Sequence, residues 1–181
     1  MREGLTVGAR TKQITFRGTV ENLDLAAPML NVAGDTVLIH RGRPRMLVMR
    51  CPSGCGDNLI INLDNRTGYA WRFYHDRRGL TLYPSYWRKD GCQSHFIVWN
   101  DHIYWCYGWE TDESNTWSVP HSIEETVLAA LPNDRFIKYD ELAEQVNLIP
   151  WEALQACRQL VKQGKAISGK GKRSDEFHKS N

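Results

Sequence analysis

The stretch Cys92-Gln-Ser-His-Phe-Ile-Val-Trp-Asn-Asp-His-Ile-Tyr-Trp-Cys106 decides how this chain is read. Two runs rich in β-branched and aromatic residues, His95–Trp99 and His102–Tyr107, flank Asn100-Asp101, which suits a two-residue hairpin turn. With that turn Trp99 pairs with His102, and the pairing runs on to His95 opposite Cys106. Directly opposite residues share a face with Cβ atoms about 4.5–5.5 Å apart. Cys92 and His95, just ahead of the hairpin, have the spacing of metal ligands.

Working back, Cys51-Pro-Ser-Gly-Cys55-Gly supplies a second short-spaced pair. Zinc takes four thiolate or imidazole ligands in a tetrahedron. Two pairs that each close a small loop meet that demand at low entropic cost. Gly54 and Gly56 suit a tight turn with positive φ, and Pro52 stiffens it. The expected site is therefore one structural zinc ion on Cys51, Cys55, Cys92 and His95. Cys106 is either a further ligand or a free thiol beside the metal. The plainer reading makes isolated cysteines small buried hydrophobes, and it is preferred for Cys157. A Rieske centre needs a second histidine, a zinc deaminase needs a His-x-Glu motif, and neither is present. Four or five available ligands describe a closed site rather than one open to water.

The surrounding sequence has the period of strands from about 36 to 109. Candidate strands are Thr36–His40, Met46–Arg50, Leu59–Leu63, Tyr69–Tyr74 and Leu80–Tyr83, with a weaker one at Gln13–Val20. Thr81-Leu-Tyr-Pro-Ser85 reads as a strand ending in a Pro-Ser turn. Ser85 as a nucleophile is set aside, because no partner base is identifiable and a Gly-x-Ser-x-Gly context is missing. Beyond Ser122 the period becomes helical: Ile123–Leu131 behind a Ser122/Glu125 capping box, a second helix from Tyr139 to Val146, and a third from Trp151 to Gln163. A short strand at Lys165–Ser168 completes the order of a winged helix-turn-helix. The fold class is thus α+β: a compact, mostly antiparallel zinc-binding β domain over 1–115, a winged-helix-like domain over 120–168, and a disordered tail over 169–181.

Five cysteines, an odd number, and the lack of a secretory leader point to reduced thiols in the cytoplasm. No apolar run approaches the ~18 residues of a membrane span. A net charge of +2 does not by itself mark a nucleic-acid binder. In the C-terminal region Gln155, Arg158, Gln159 and Lys162 would face DNA if the third helix read it. Residues 120–181 carry nine Lys or Arg against nine Asp or Glu, and that balance favours a protein partner.

The combined motif of Cys51-Pro-x-Gly-Cys55-Gly, Trp71, Thr81-Leu-x-Pro84-Ser85, Gly91-Cys92-x-Ser94-His95-Phe96 and Ile103-x-Trp105-Cys106 resembles domain-of-unknown-function family 6527 over about 30–108. The resemblance implies a compact β domain from a bacterial or phage protein, with a zinc site. It also implies a link, in some members, to bacterial ubiquitin-like conjugation. Where many relatives carry another Cys, this chain has Ser53. Three functions follow as expectations. The first is a zinc-stabilised binding or regulatory module. The second is a cysteine enzyme of ubiquitin-like conjugation or deconjugation that uses Cys106. The third is a winged-helix DNA-binding regulator.

Overall fold

The computed structural model describes residues 10–106 and 119–180. Tyr107, expected to close the last hairpin strand, lies outside them. The chain divides into two compact units, Met1–Asp112 and Glu113–Asn181.

The first unit is two four-stranded sheets. In one, β1 (Thr15–Val20), β2 (Asp35–His40), β3 (Pro44–Arg50) and β4 (Asn58–Asn62) lie in that order. The β1–β2 pair is parallel and the rest are antiparallel. A short helix, α1 (Leu23–Ala26), makes the crossover between β1 and β2, its first turn capped by the Asn22 side chain. The second sheet is β5 (Arg72–Asp76), β6 (Gly79–Trp87), β7 (His95–Trp99) and β8 (His102–Trp105), antiparallel throughout. The period of two along each strand sorts the side chains between the faces. Leu38, Leu47, Met49, Leu59 and Ile61 of the first sheet meet Leu80, Leu82, Phe96, Val98 and Ile103 of the second in one buried core. The opposite face of the first sheet buries Val37, Ile39 and Val48 against Ala26 and Leu30.

The hairpin of residues 95–106 forms with the expected register, Trp99 opposite His102 and Phe96 opposite Trp105. Asn100 and Asp101 both take positive φ, as its tight turn requires. Two expected strand boundaries shift by three residues or more. β5 starts at Arg72 rather than Tyr69, because the Asn65–Thr67 turn and Gly68 occupy the preceding residues. β6 runs through Pro84 and Ser85 to Trp87 instead of ending at Tyr83. A wide bulge absorbs the proline: Leu82 pairs with Val98 but Tyr86 with Phe96, so three residues of β6 face one of β7.

The second unit contains α2 (His121–Ala130), β9 (Ile137–Lys138), α3 (Tyr139–Gln145), α4 (Pro150–Lys162), β10 (Ala166–Ser168) and β11 (Glu176–Lys179). Its three strands form a sheet in the order β10-β11-β9. The capping box at Ser122 does not form. The α2 helix begins two residues earlier, at His121 after Pro120, with no side-chain cap. The Glu152 carboxylate instead reaches back to the Ile149 N–H at the start of α4. The tail expected to be disordered supplies β11, where buried Phe177 pairs with Ile137 and Ser168. One apolar residue in a polar run was too weak a signal against the surrounding Lys, Gly and Ser.

No helix among the described residues is long and apolar enough to cross a membrane.

Candidate functional site

Cys51 continues the inward-facing series Leu47, Met49, Cys51 past the end of β3, which leaves its side chain fully buried at the edge of the inter-sheet core. The chain then doubles back: Cys51 N–H donates to the Asp57 carbonyl, and Gly54 and Gly56 take positive φ to make the turn. The turn brings Cys55 over Cys51. From the second sheet, the loop after β6 is closed by Arg88 N–H donating to the Ser94 carbonyl, and it carries Cys92 to the same place. The sulfurs of Cys51, Cys55 and Cys92 all lie within 4.8 Å of one another. Cys51 and Cys92 are 3.6 Å apart. A tetrahedron of thiolates about 2.3 Å from zinc has edges of about 3.8 Å, so the spacing already suits a metal ion. Three cysteines in this arrangement can hold one.

The electrostatics favour thiolate at Cys92 and disfavour it at Cys51. Burial works to raise Cys92, but hydrogen bonds from Ser53, Ser94 and Cys51 outweigh it and bring the thiol down to about 6. Burial pushes Cys51 up. Arg88 Nη1 lies 3.7 Å from Cys55 Sγ and 3.9 Å from Cys92 Sγ, while the same guanidinium pairs with Asp57 and Asp90. A positive charge therefore sits against the sulfurs.

His95, expected as the fourth ligand, does not join them. Consecutive side chains on extended backbone point to opposite sides. Ser94 Oγ sits 2.9 Å from Cys92 Sγ, and the next side chain, His95, goes to the outer face of the second sheet. Cys106 follows it there, its N–H donating to the His95 carbonyl across the hairpin. Burial pushes the Cys106 thiol up to about 11. The Cys106 expected beside the metal is therefore paired with His95, as the register required, but on the face away from the three sulfurs.

What His95 meets instead is Ser85, with His95 Nε2 3.1 Å from Ser85 Oγ. The register explains the meeting. His95 is opposite Trp87, and Ser85 lies two residues earlier on the same face of β6, diagonal to His95. The bulge at 83–85 and the indole of Trp71, whose Nε1 donates to the Ser85 carbonyl at 3.4 Å, hold this part of β6. The Trp87 ring stacks on the imidazole at 5.7 Å between centroids and 29° between planes, which limits how the His95 ring can turn. Burial lowers the His95 pKa, so the ring is neutral at pH 7 with a lone pair available. A hydroxyl on a neutral imidazole is the nucleophile–base pair of acyl-transfer chemistry. The imidazole beside Ser85 is therefore that of His95, expected from the sequence at the metal.

The candidate DNA-reading residues Gln155, Arg158, Gln159 and Lys162 do share one face of α4. Arg158 and Lys162 are exposed, and both glutamines are partly buried.

Residues 23–106, just under half of the chain, match the BubE family, described as a bacterial ubiquitination-like system serine protease. This match corrects the resemblance to domain-of-unknown-function family 6527 over about 30–108. It includes Ser85 and His95 as well as the three clustered cysteines. No curated protein and no solved structure matches the chain.

Proposed function

We propose that this protein is a serine hydrolase that cuts an acyl bond in a polypeptide of a bacterial ubiquitination-like system, with Ser85 as nucleophile and His95 as general base. The 3.1 Å contact between Ser85 Oγ and His95 Nε2 carries the reading. The family match supports the class of reaction and its setting. In the reaction His95 takes the Ser85 proton as Oγ attacks the carbonyl carbon. The imidazolium then gives that proton to the departing amine, and an acyl-Ser85 ester remains. Water, deprotonated by His95, attacks the ester carbonyl, and the imidazolium returns that proton to Ser85 Oγ as the acyl–oxygen bond breaks and the acid leaves. Zinc held by Cys51, Cys55 and Cys92 would tie the end of β3 to the loop between β6 and β7, and so brace the strand pair that carries Ser85 and His95. The zinc-stabilised regulatory module thereby becomes the scaffold of an enzyme.

The test is hydrolysis of a fluorogenic peptide ester by the full chain. A serine-directed phosphonate should stop it and iodoacetamide should not. The opposite pattern overturns the reading.

Two further outcomes follow. Because burial disfavours the charged imidazole, the acid limb of kcat/KM should fall below the usual histidine value of about 6.5. Activity is complete at neutral pH and lost as pH drops through that limb. A limb at or above about 6.5 in the pH–rate profile contradicts the assignment. For Cys106, a thiol held up near 11 is protonated at neutral pH and a poor nucleophile. Cys106→Ala should keep kcat/KM within about threefold of wild type, whereas a loss of about a hundredfold or more would restore the cysteine-enzyme alternative.

For the second unit, the order α2-β9-α3-α4-β10-β11 with sheet order β10-β11-β9 supports a winged-helix reading. The equal numbers of acidic and basic residues over 120–181 favour a protein contact over DNA.

A further inference from the structure

On the first unit a groove of about 590 Å³ runs between the turn joining β2 to β3 and the edge strand β5. A smaller recess of about 340 Å³ adjoins it, and Asp64 lines both. The floor is apolar, from Leu63, Trp71 and Phe73, and the rim is cationic. Arg43 and Arg72 edge the groove, and Arg41 and Arg45 edge the recess. Asp64, almost fully buried, is the acidic residue lining them, and its carboxylate is shared between Arg45 and Arg66. One carboxylate between two guanidiniums leaves positive charge over. Arg41 and Arg43 are exposed and have no carboxylate partner among the described residues. Trp71 joins this groove to the hydrolytic pair, since the indole that forms part of its wall donates to the Ser85 carbonyl.

We propose that this groove docks an acidic, extended segment of the polypeptide substrate next to the bond that Ser85 attacks. The inference rests on the hydrolase reading above and adds the chemistry of the substrate. An apolar floor takes alternate side chains of an extended peptide, and a cationic rim takes carboxylates between them. Opposed charge at exposed sites gives selection that weakens with salt.

Binding is measured on the full-length Ser85→Ala chain, which cannot turn over its ligand, by fluorescence anisotropy of labelled decapeptides of alternating Glu and Ala or Lys and Ala. The Glu peptide is expected to bind at least about tenfold more tightly than the Lys peptide, with the difference shrinking at high salt. The pair of changes Arg41→Glu and Arg43→Glu should remove that preference. The same pair in a chain that keeps Ser85 should leave fluorophosphonate labelling unchanged, which shows that fold and nucleophile are intact. Equal binding of both peptides, or a preference that survives charge reversal, overturns the proposal. So does a single-stranded RNA of equal length that binds more tightly than the Glu peptide. Peptide discrimination with no labelling of Ser85 would keep the acidic-segment groove and overturn the hydrolase reading instead.

Discussion

Ser85→Ala should lower kcat/KM for peptide hydrolysis by at least about 10³-fold, and His95→Ala by a similar factor. The reason is that the two groups act as one unit. Without Oγ no acyl-enzyme can form, and without Nε2 the hydroxyl keeps its proton and attacks slowly. The double variant should therefore be no worse than the poorer single one, because removing either half already removes the pair's contribution. Neither change should unfold the protein. Both side chains are part-buried on the outer face of the second sheet, away from the inter-sheet core, and losing one exposes no wholly buried partner. Thermal midpoints within a few degrees of wild type, measured beside the kinetics, separate loss of chemistry from loss of fold. Additive losses, or an active Ser85→Ala chain, would mean that the 3.1 Å contact is only a structural hydrogen bond.

The second large effect concerns the thiolates. Cys92 is only half-buried, so replacing its sulfur by oxygen in a metal-free protein should cost little, on the order of 0.5 kcal/mol. With zinc bound the same change removes a ligand from an ion whose apparent binding free energy in structural sites is about 10–16 kcal/mol. Cys92→Ser should then strip the metal and lower the thermal midpoint by about 10 °C or more, as should a strong chelator. Cys157, buried in α4 of the second unit, is the control: Cys157→Ala should leave metal content at one ion per chain. Calorimetry with elemental analysis measures both quantities. A wild-type chain that is metal-free and indifferent to chelation contradicts the zinc assignment and leaves the sulfurs as a hydrogen-bonded cluster.

Much of the architecture was legible before the structure. The hairpin at 95–106 could be registered residue by residue, because alternation is strict and the two-residue turn leaves no slack. The shift from period two to helical period separated the strands of the first unit from the helices of the second. What could not be read was the second sheet's geometry around Pro84. Pro84-Ser85 reads as a turn, which ends the strand at Tyr83 and places Ser85 in a turn without a base. The observed bulge lets the strand run on and turns Ser85 toward its diagonal neighbour. The misassignment of His95 has the same root. Cys-x-x-His spacing looks like a ligand pair in a loop, but His95 is the first residue of a strand. Alternation there sends it to the face opposite Ser94 and the sulfurs. A signal was present: Cys106 paired with His95 could not also reach Cys51 in the core unless the sheet were crossed. Applied to Trp87 and Ser85, the same parity would have found the dyad.

The central claim is that Ser85 is made nucleophilic by His95. The most direct measurement is the site of covalent attachment of a fluorophosphonate probe to the full chain at neutral pH, located by peptide mass spectrometry. A single adduct on Ser85, absent after His95→Ala, is the predicted result. Attachment to a cysteine or another serine, or labelling of Ser85 that persists without His95, would contradict it.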